Sequence, residues 1–369
     1  LDRKGTSLTK IASQKFKKNF WGVFSLVFLL GCCILAIFAY ALAPDHTKNA
    51  NSIILSIHSK PPGFTTSILS IPTHTPIQES KWSQFFWGKT PTEQKIAIKK
   101  YSLTETGIAV EEYTDSNQPG RVVNYDLALF PQAQQVSEIP QKYIRETTFL
   151  LGTDKHGRDL LSRMLIGARI SLSIGFIAVF ISLLIGITLG AMAGYFGGKI
   201  DTLIMWLINV TWSIPTLLLV IAVTLALGKG FWQVFIAVGL TMWVEVARVV
   251  RGQVLSVKKS QYIVAARALG YKDFRIITKH ILPNVMAPVI VISAANFASA
   301  ILIESGLSFL GIGAQSPVPS WGGIIKDHYH YLILGKPYLA LIPGLAIMSL
   351  VMAFMLMGNA LRDALDVKH

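Results

Sequence analysis

Few side chains in this 369-residue sequence are placed to do chemistry, and most of those border long apolar runs. Glu304 ends one such run, where an unpaired carboxylate at mid-membrane depth would cost about 2.5–3.5 kcal/mol. With Ser305-Gly306 following it, Glu304 reads either as a group lining a polar path or as an interfacial anchor or structural pair. Pro215 interrupts another apolar run and is expected to kink a helix there, freeing a carbonyl that a cavity or neighbour must satisfy. Glu245 stands three residues before Arg248, the spacing of an ion pair on a helix surface. His328-Tyr329-His330 offers two imidazoles, which without a third ligand type nearby is a weak metal signal; no metal site is assigned. Asp154, Arg158 and Asp159 have the residue types of acid chemistry. Thr153 or Asp154 as a helix cap before the amphipathic Leu160–Leu165 segment explains them more simply.

The sequence carries no G-x-x-x-x-G-K-[ST] phosphate loop, no H-E-x-x-H and no G-x-S-x-G. ATP hydrolysis, metalloprotease and serine-hydrolase chemistry therefore have no recognisable machinery here, and the chain is not read as an enzyme. Cys32 and Cys33 are adjacent, which suits neither a disulfide framework nor a zinc site.

What must position the remaining groups follows from composition. Hydrophobic residues make up 52% of the chain and charged residues only 15%, with a mean hydropathy of +0.49. That is too little charge to wrap soluble cores of this length. Phe20–Ala43, Ile170–Gly198, Thr202–Gly228, Ile281–Ile303 and Pro337–Leu361 lack Asp, Glu, Lys, Arg and His, and Gly230–Val244 continues helically to about Val250. About 20 residues at 1.5 Å each cross the hydrocarbon layer, and backbone groups in lipid must bond internally, so these are read as six transmembrane helices.

The net charge of +14 then marks a membrane face. Arg3, Lys4, Lys10, Lys15, Lys17 and Lys18 precede the first span, and Arg248, Arg251, Lys258, Lys259, Arg267, Lys272, Arg275 and Lys279 surround the fourth-to-fifth connection. Both stretches are expected to be cytoplasmic, which places both termini there. Leu29-Leu30-Gly31-Cys32 resembles a lipoprotein cleavage box, but Cys33–Ala43 stays apolar where a lipoprotein would turn polar, so a retained span is preferred.

Three regions follow: residues 1–43, a cytoplasmic N-terminus and first span; residues 44–151, a small extracytoplasmic insert; and residues 152–369, a five-helix core with a cytoplasmic loop at 251–284. The fold class is an all-α polytopic membrane protein with a partly β insert. In the insert, Lys95–Lys99 alternates, and Val110–Tyr113 and Val122–Phe130 read as strands joined through Asp115–Gly120. Its aromatic patch, Trp82, Phe85, Phe86 and Trp87, either packs the insert's own core or docks a partner.

The loop is the most informative stretch. Ser260 can cap a short helix, Gly270 sits where a left-handed residue ends one, and Ala265, Ala266 and Ala268 keep that helix thin. Asp273 can start a second short helix with Phe274, Ile277 and Ile281 on one face, stopped by Pro283. Gly186, Gly190 and Gly194 give one face of the second span close helix approach.

The Ala265-Ala266…Gly270…Leu282-Pro283 spacing resembles the EAA loop of ABC-importer permeases, through which the membrane subunit engages its ATPase. Gly152-Thr153-Asp154-Lys155-His156-Gly157-Arg158-Asp159, Gly167-Ala168-Arg169, Gly194-Tyr195-Phe196-Gly197, Ala247-Arg248…Arg251-Gly252, Leu307-Ser308-Phe309-Leu310-Gly311 and Pro319-Ser320-Trp321-Gly322 look like the C-type permease of dipeptide/oligopeptide importers. The chain departs from the family at Val264, His280, Trp206, Asn209 and Asn359, and its insert is longer than in most relatives. Those departures put in doubt any salt bridge carried over from relatives.

The resemblance implies a type I importer-like permease subunit for di- or oligopeptides in a bacterial inner membrane. Its implied partners are a second homologous permease, two ATPase subunits that hold the ATP and Mg, and an extracytoplasmic substrate-binding protein. The lipid bilayer surrounds it, and neither a bound cofactor nor nucleic acid is expected. ATPase coupling would fall to Tyr262, Ala265, Ala266, Arg267, Gly270, Leu282 and Pro283, and the pathway to Glu304 and Pro215. The basic residues of the loop are explained equally by topology alone or by a direct role at an acidic ATPase surface. A permease for nickel chelates or modified peptides is the alternative within the family; a membrane-embedded enzyme or stand-alone channel is the alternative outside it.

Overall fold

The computed structural model describes residues 8–73, 79–115, 119–228 and 230–366. Helices α1 (Leu8–Lys18), α2 (Phe20–Ile37) and α3 (Ala39–Leu42) open the chain; α4 (Lys81–Trp87) and α5 (Ile139–Tyr143) belong to a polar region. Then come α6 (Leu160–Phe196), α7 (Gly198–Trp212), α8 (Thr216–Leu227), α9 (Phe231–Val257), α10 (Gln261–Ala268), α11 (Asp273–Ile276), α12 (Leu282–Phe309), α13 (Trp321–His328) and α14 (Tyr338–Leu365). Among the described residues five helices are long and apolar enough to cross a membrane, and the pair α7 and α8, bent by 95°, brings the number to six if it counts as one span.

The chain divides into two compact units. One comprises residues 1–33, 171–315 and 345–369, the other residues 34–170 and 316–344.

In the first unit, α6 lies against α9 through its glycines. A Cβ at Gly186 would come within 2.5 Å of the Val246 Cβ, and one at Gly190 within 2.5 Å of the Ala247 carbonyl oxygen. Small residues thus let two backbones approach as lipid-immersed helices require. Pro215 sits at the break between α7 and α8, where its ring and missing N–H end the ladder and the chain turns. The segment after the basic loop differs from the sequence expectation. Pro283 does not stop a separate short helix: α11 passes through a π turn at Ile277–Ile281 straight into α12, giving one run Asp273–Phe309. The wider turn spreads the ladder ahead of the proline ring, and the Asn284 amide donates to the His280 carbonyl at 2.8 Å. The extra residue also shifts the helical phase. Ile276 and Ile281 turn inward, whereas Phe274 is not on their face and is 79% exposed.

The second unit carries a five-stranded antiparallel sheet of β1 (Phe64–Pro72), β2 (Glu93–Leu103), β3 (Gly107–Glu112), β4 (Val122–Asp126) and β5 (Ile144–Phe149), in the order β4-β3-β2-β1-β5. One face buries Leu69, Ile71, Ile98, Ile108 and Val110 against Phe130, Ile139 and Tyr143. The β3–β4 pairing sets Val110 opposite Val123; of the turn that joins them, Ser116, Asn117 and Gln118 lie outside the described residues. The aromatic patch does not form a core of its own. No residue of α4 is buried, Trp82 is 75% exposed, and Phe85 instead meets Phe38 edge-on at 5.5 Å.

Candidate functional site: the 260–284 segment and the broken span

Ser260 occupies the N-cap position of α10, though its side chain makes no capping bond. Gly270 has φ +77, and the Tyr271 N–H donates to the Ala266 carbonyl at 3.1 Å while the Gly270 N–H donates to Arg267 at 2.9 Å. This crossed pair of bonds is a Schellman closure, which needs the left-handed residue that glycine supplies without strain. It fixes the angle at which the chain leaves α10 for α11.

The coupling residues named from sequence divide into two sets. Ala266 is buried with Ile263 among Tyr195, Val250, Val254, Ile276 and Ile281, so it holds α10 onto the span bundle. Tyr262, Ala265, Arg267 and Gly270 are exposed, and Leu282 and Pro283 lie at the start of α12. Two apolar side chains complete the outer surface: Leu269, which sequence reasoning passed over, at 73% exposure and Phe274, which the sequence pattern sets on one face with Ile277 and Ile281, at 79%. Nothing in their local sequence distinguishes them; only the Schellman turn and the π turn rotate them outward.

Two further residues anchor the segment. Tyr195, at the end of α6, donates to Asp273 Oδ1, and its ring lies 5.0 Å from the Arg267 guanidinium. Arg251 grips Asp201 at the start of α7 with two bonds of 2.5 and 2.7 Å. These planar paired bonds tie α9 to α7. Arg275 lies over Tyr271 at 4.3 Å, so part of the loop's positive charge is engaged with aromatic faces of its own chain.

Along the bundle, Glu304 is 0% exposed and accepts the Ser308 hydroxyl at 2.7 Å. In this conformation it is closed to a passing solute and has the surroundings of a structural pair. Pro215 stands in the α7–α8 break, beside a cavity of about 290 Å³ that takes in Thr211, Thr216, Thr241, Glu245 and Ser299. The expected Glu245–Arg248 pair is absent among the described ion pairs. Arg248 lies over the Trp212 ring at 3.5 Å instead, a cation–π contact within the apolar wall.

Residues 186–368 match the family model of the binding-protein-dependent transport system inner membrane component, and residues 7–62 match the N-terminal TM domain of oligopeptide transport permease C. The dipeptide transport system permease protein DppC of Alkalihalophilus pseudofirmus is 43% identical over 217 residues, covering 59% of this chain and 71% of that one. Glutathione transport system permease protein GsiD of Pectobacterium atrosepticum is 41% identical over 218 residues, with 59% and 72% covered. Oligopeptide transport system permease protein OppC of Bacillus subtilis is 40% identical over 217 residues, with 59% and 71% covered. The chain belongs to this permease family.

An inward-facing MetNI methionine ABC transporter structure aligns with 55% of this permease and 96% of that chain, at 19% identity and a TM-score of 0.45, a likeness too partial to bear on the fold. Neither family model reaches residues 63–185, so the whole sheet of this permease lies outside both.

Three of the permease's other sequence motifs, at 152–159, 167–169 and 319–322, lie in the second unit around a polar corner. Arg158 Nε donates to Asp154 Oδ2 at 2.6 Å, and Arg163 Nε lies 3.5 Å from the same oxygen. Burial works against the Asp154 carboxylate, but the Arg158 and Arg163 guanidiniums and two backbone N–H groups outweigh it and hold its pKa below the usual range. Neither Thr153 nor Asp154 caps α6. Asp159 does, accepting the Ser162 N–H at 2.8 Å. Gly167 leaves room for Trp321, whose indole N–H donates to the Met164 carbonyl at 2.9 Å. His328 has Nδ1 2.7 Å from the Ile324 carbonyl and accepts the Lys155 N–H on Nε2 at 3.1 Å. Both ring nitrogens are thereby engaged inside the fold, and burial above all keeps the imidazole pKa below its ordinary value. Among the described residues no group of three His, Cys, Asp or Glu comes together as a metal site.

Proposed function

We propose that this permease is one transmembrane subunit of an ATP-driven importer for di- or oligopeptides. The observation that carries the reading is the 260–284 segment: a short helix closed at Gly270, with Leu269 and Phe274 exposed on either side of it and Ala266 locking it to the bundle. A rigid element with an apolar outer surface suits docking in a groove of an ATPase. The relatives named for dipeptide, oligopeptide and glutathione transport support a peptide cargo, since glutathione is itself a tripeptide.

On this reading the chain spans a bacterial inner membrane six times, with α7 and α8 together as one span and both termini cytoplasmic. Residues 44–151 lie outside the cytoplasm, where a substrate-binding protein delivers the peptide. A second homologous permease completes the path, and two ATPase subunits hold ATP and Mg. Closure of the ATPases pushes the 260–284 segment. Tyr195 passes that push to α6 through Asp273, Arg251 passes it to α7 through Asp201, and the spans switch the side to which the path is open. Pro215 gives the broken span its hinge. Glu304, buried in α12, would meet cargo only in a state that repacks that helix.

The test is co-expression with candidate ATPases and the second permease, followed by purification and peptide uptake in vesicles. Leu269→Asp and Phe274→Asp are expected to abolish ATPase co-purification while leaving membrane insertion intact; full co-purification in both would refute docking at this surface. Deleting residues 50–145 and measuring capture of the binding protein checks the insert's part.

A further inference from the structure

Glu245 lies in α9, within the run Trp232–Val257 that is long and apolar enough to cross a bilayer. It stands one turn before Arg248 and about 18 Å before the helix end at Val257, toward the inner end of that span. A carboxylate within a span cannot face lipid tails cheaply, and such groups turn to a protein interior or a water-filled path. Yet Glu245 is exposed, and no described ion pair includes it. Arg248, the cation one turn on, is held over Trp212.

What surrounds Glu245 defines the ligand it suits. The cavity it borders lies where the broken span meets α9 and α12, and Glu245 carries the one formal charge among the described residues that line it. Thr211 and Thr241 line it too, and both have spent their hydroxyl protons on helix carbonyls, of Leu207 and Val238, each at 2.9 Å. Their oxygens therefore have only lone pairs to offer the cavity. A carboxylate with two acceptor hydroxyls is a setting for a cation with several N–H donors, and an ammonium group has three. It is a poor setting for an anion.

We propose that Glu245 is an intramembrane recognition site for the α-ammonium group of a passing peptide, with the Thr211 and Thr241 oxygens as further acceptors. The inference rests on the peptide-importer reading above. It makes the path through this subunit selective for a free amino terminus, independently of the binding protein.

The experiment uses the whole transporter, with both permeases, the ATPases and the binding protein, in lipid vesicles. Uptake of a free-amine tripeptide is compared with that of its N-acetylated form, each supplied on saturated binding protein. The wild type is expected to favour the free amine by about tenfold or more, the scale of a lost hydrogen bond to a charged group. Glu245→Gln should bring the two rates together, and Glu245→Asp should restore most of the preference. An unchanged ratio in Glu245→Gln, or no preference in the wild type, would overturn the proposal. So would failure of Glu245→Gln to assemble with the second permease while Glu245→Asp assembles, since the carboxylate would then serve that contact. Absence of peptide uptake by the wild type would instead overturn the importer reading, and this inference with it.

Discussion

Tyr195 donates its hydroxyl to Asp273 Oδ1 at 2.5 Å, across 78 residues of sequence. The bond joins the end of α6 to the first turn of α11, where a carboxylate also complements the helix terminus. A span and the 260–284 segment are therefore linked side chain to side chain at this point.

Tyr195→Phe keeps the ring under Arg267 and removes only the hydroxyl. The cost to stability is expected to be about 1 kcal/mol. On the coupling role proposed above, uptake by the assembled transporter should fall several-fold while ATP hydrolysis persists. Parallel assays of hydrolysis and uptake check this; a proportional loss of both would speak against a transmitting role.

The alanines of α10 are expected to separate two roles. Ala266 is buried and Ala265 exposed. Ala266→Leu overpacks the interior and should destabilise the chain by about 1–3 kcal/mol, whereas Ala265→Leu should leave thermal unfolding unchanged and weaken ATPase capture. Gly270→Val, forced to φ +77, should cost about 1–2 kcal/mol and also impair capture. Unfolding temperature and pull-down, measured on the same three variants, decide the outcome.

The α6–α9 contact leaves no room at Gly190, where a Cβ would lie 2.5 Å from the Ala247 oxygen. Backbone cannot yield as a flexible side chain would. Gly190→Leu is expected to abolish stable accumulation in the membrane, while Gly252→Ala, where a Cβ meets nothing within 4 Å, should accumulate normally. Immunoblots of membrane fractions measure both.

The polar corner of the second unit should respond to pH. Burial lowers the His328 pKa below the ordinary value of 6.5, and burial and then Arg158 push His156 the same way. In the unfolded chain these imidazoles take up protons first. Their contribution to stability is therefore complete above about pH 6.5 and is lost as pH falls from there toward their folded values. Asp154, depressed below the usual carboxylate range, adds a loss only at still lower pH. Unfolding temperature should be level from pH 8 to 7 and fall toward pH 5.5. His328→Asn should be less stable at pH 8, by about 1–3 kcal/mol, and show a shallower fall.

Charge-free runs and the period of the helix marked by themselves the long apolar helices, because a bilayer leaves an apolar chain few other ways to satisfy its backbone. The Gly270 turn was legible for a similar reason: a glycine after a short helical run is a local solution to a local need. So was the small-residue face at Gly186, Gly190 and Gly194. What depended on distant partners was not legible. Glu245 and Arg248 have ion-pair spacing, yet a tryptophan 36 positions from Arg248 takes the guanidinium. Asp159 rather than Thr153 or Asp154 caps α6, because Asp154 is drawn into the buried arginine pair. Phe274 faces outward because one π turn shifts the helical phase by a residue, and β1 and β5 emerge only once each finds its partner strand. Periodicity and turn chemistry are written within a few residues of chain. Which charge meets which ring, and which side a carboxylate faces, are settled only when segments far apart in sequence pack together.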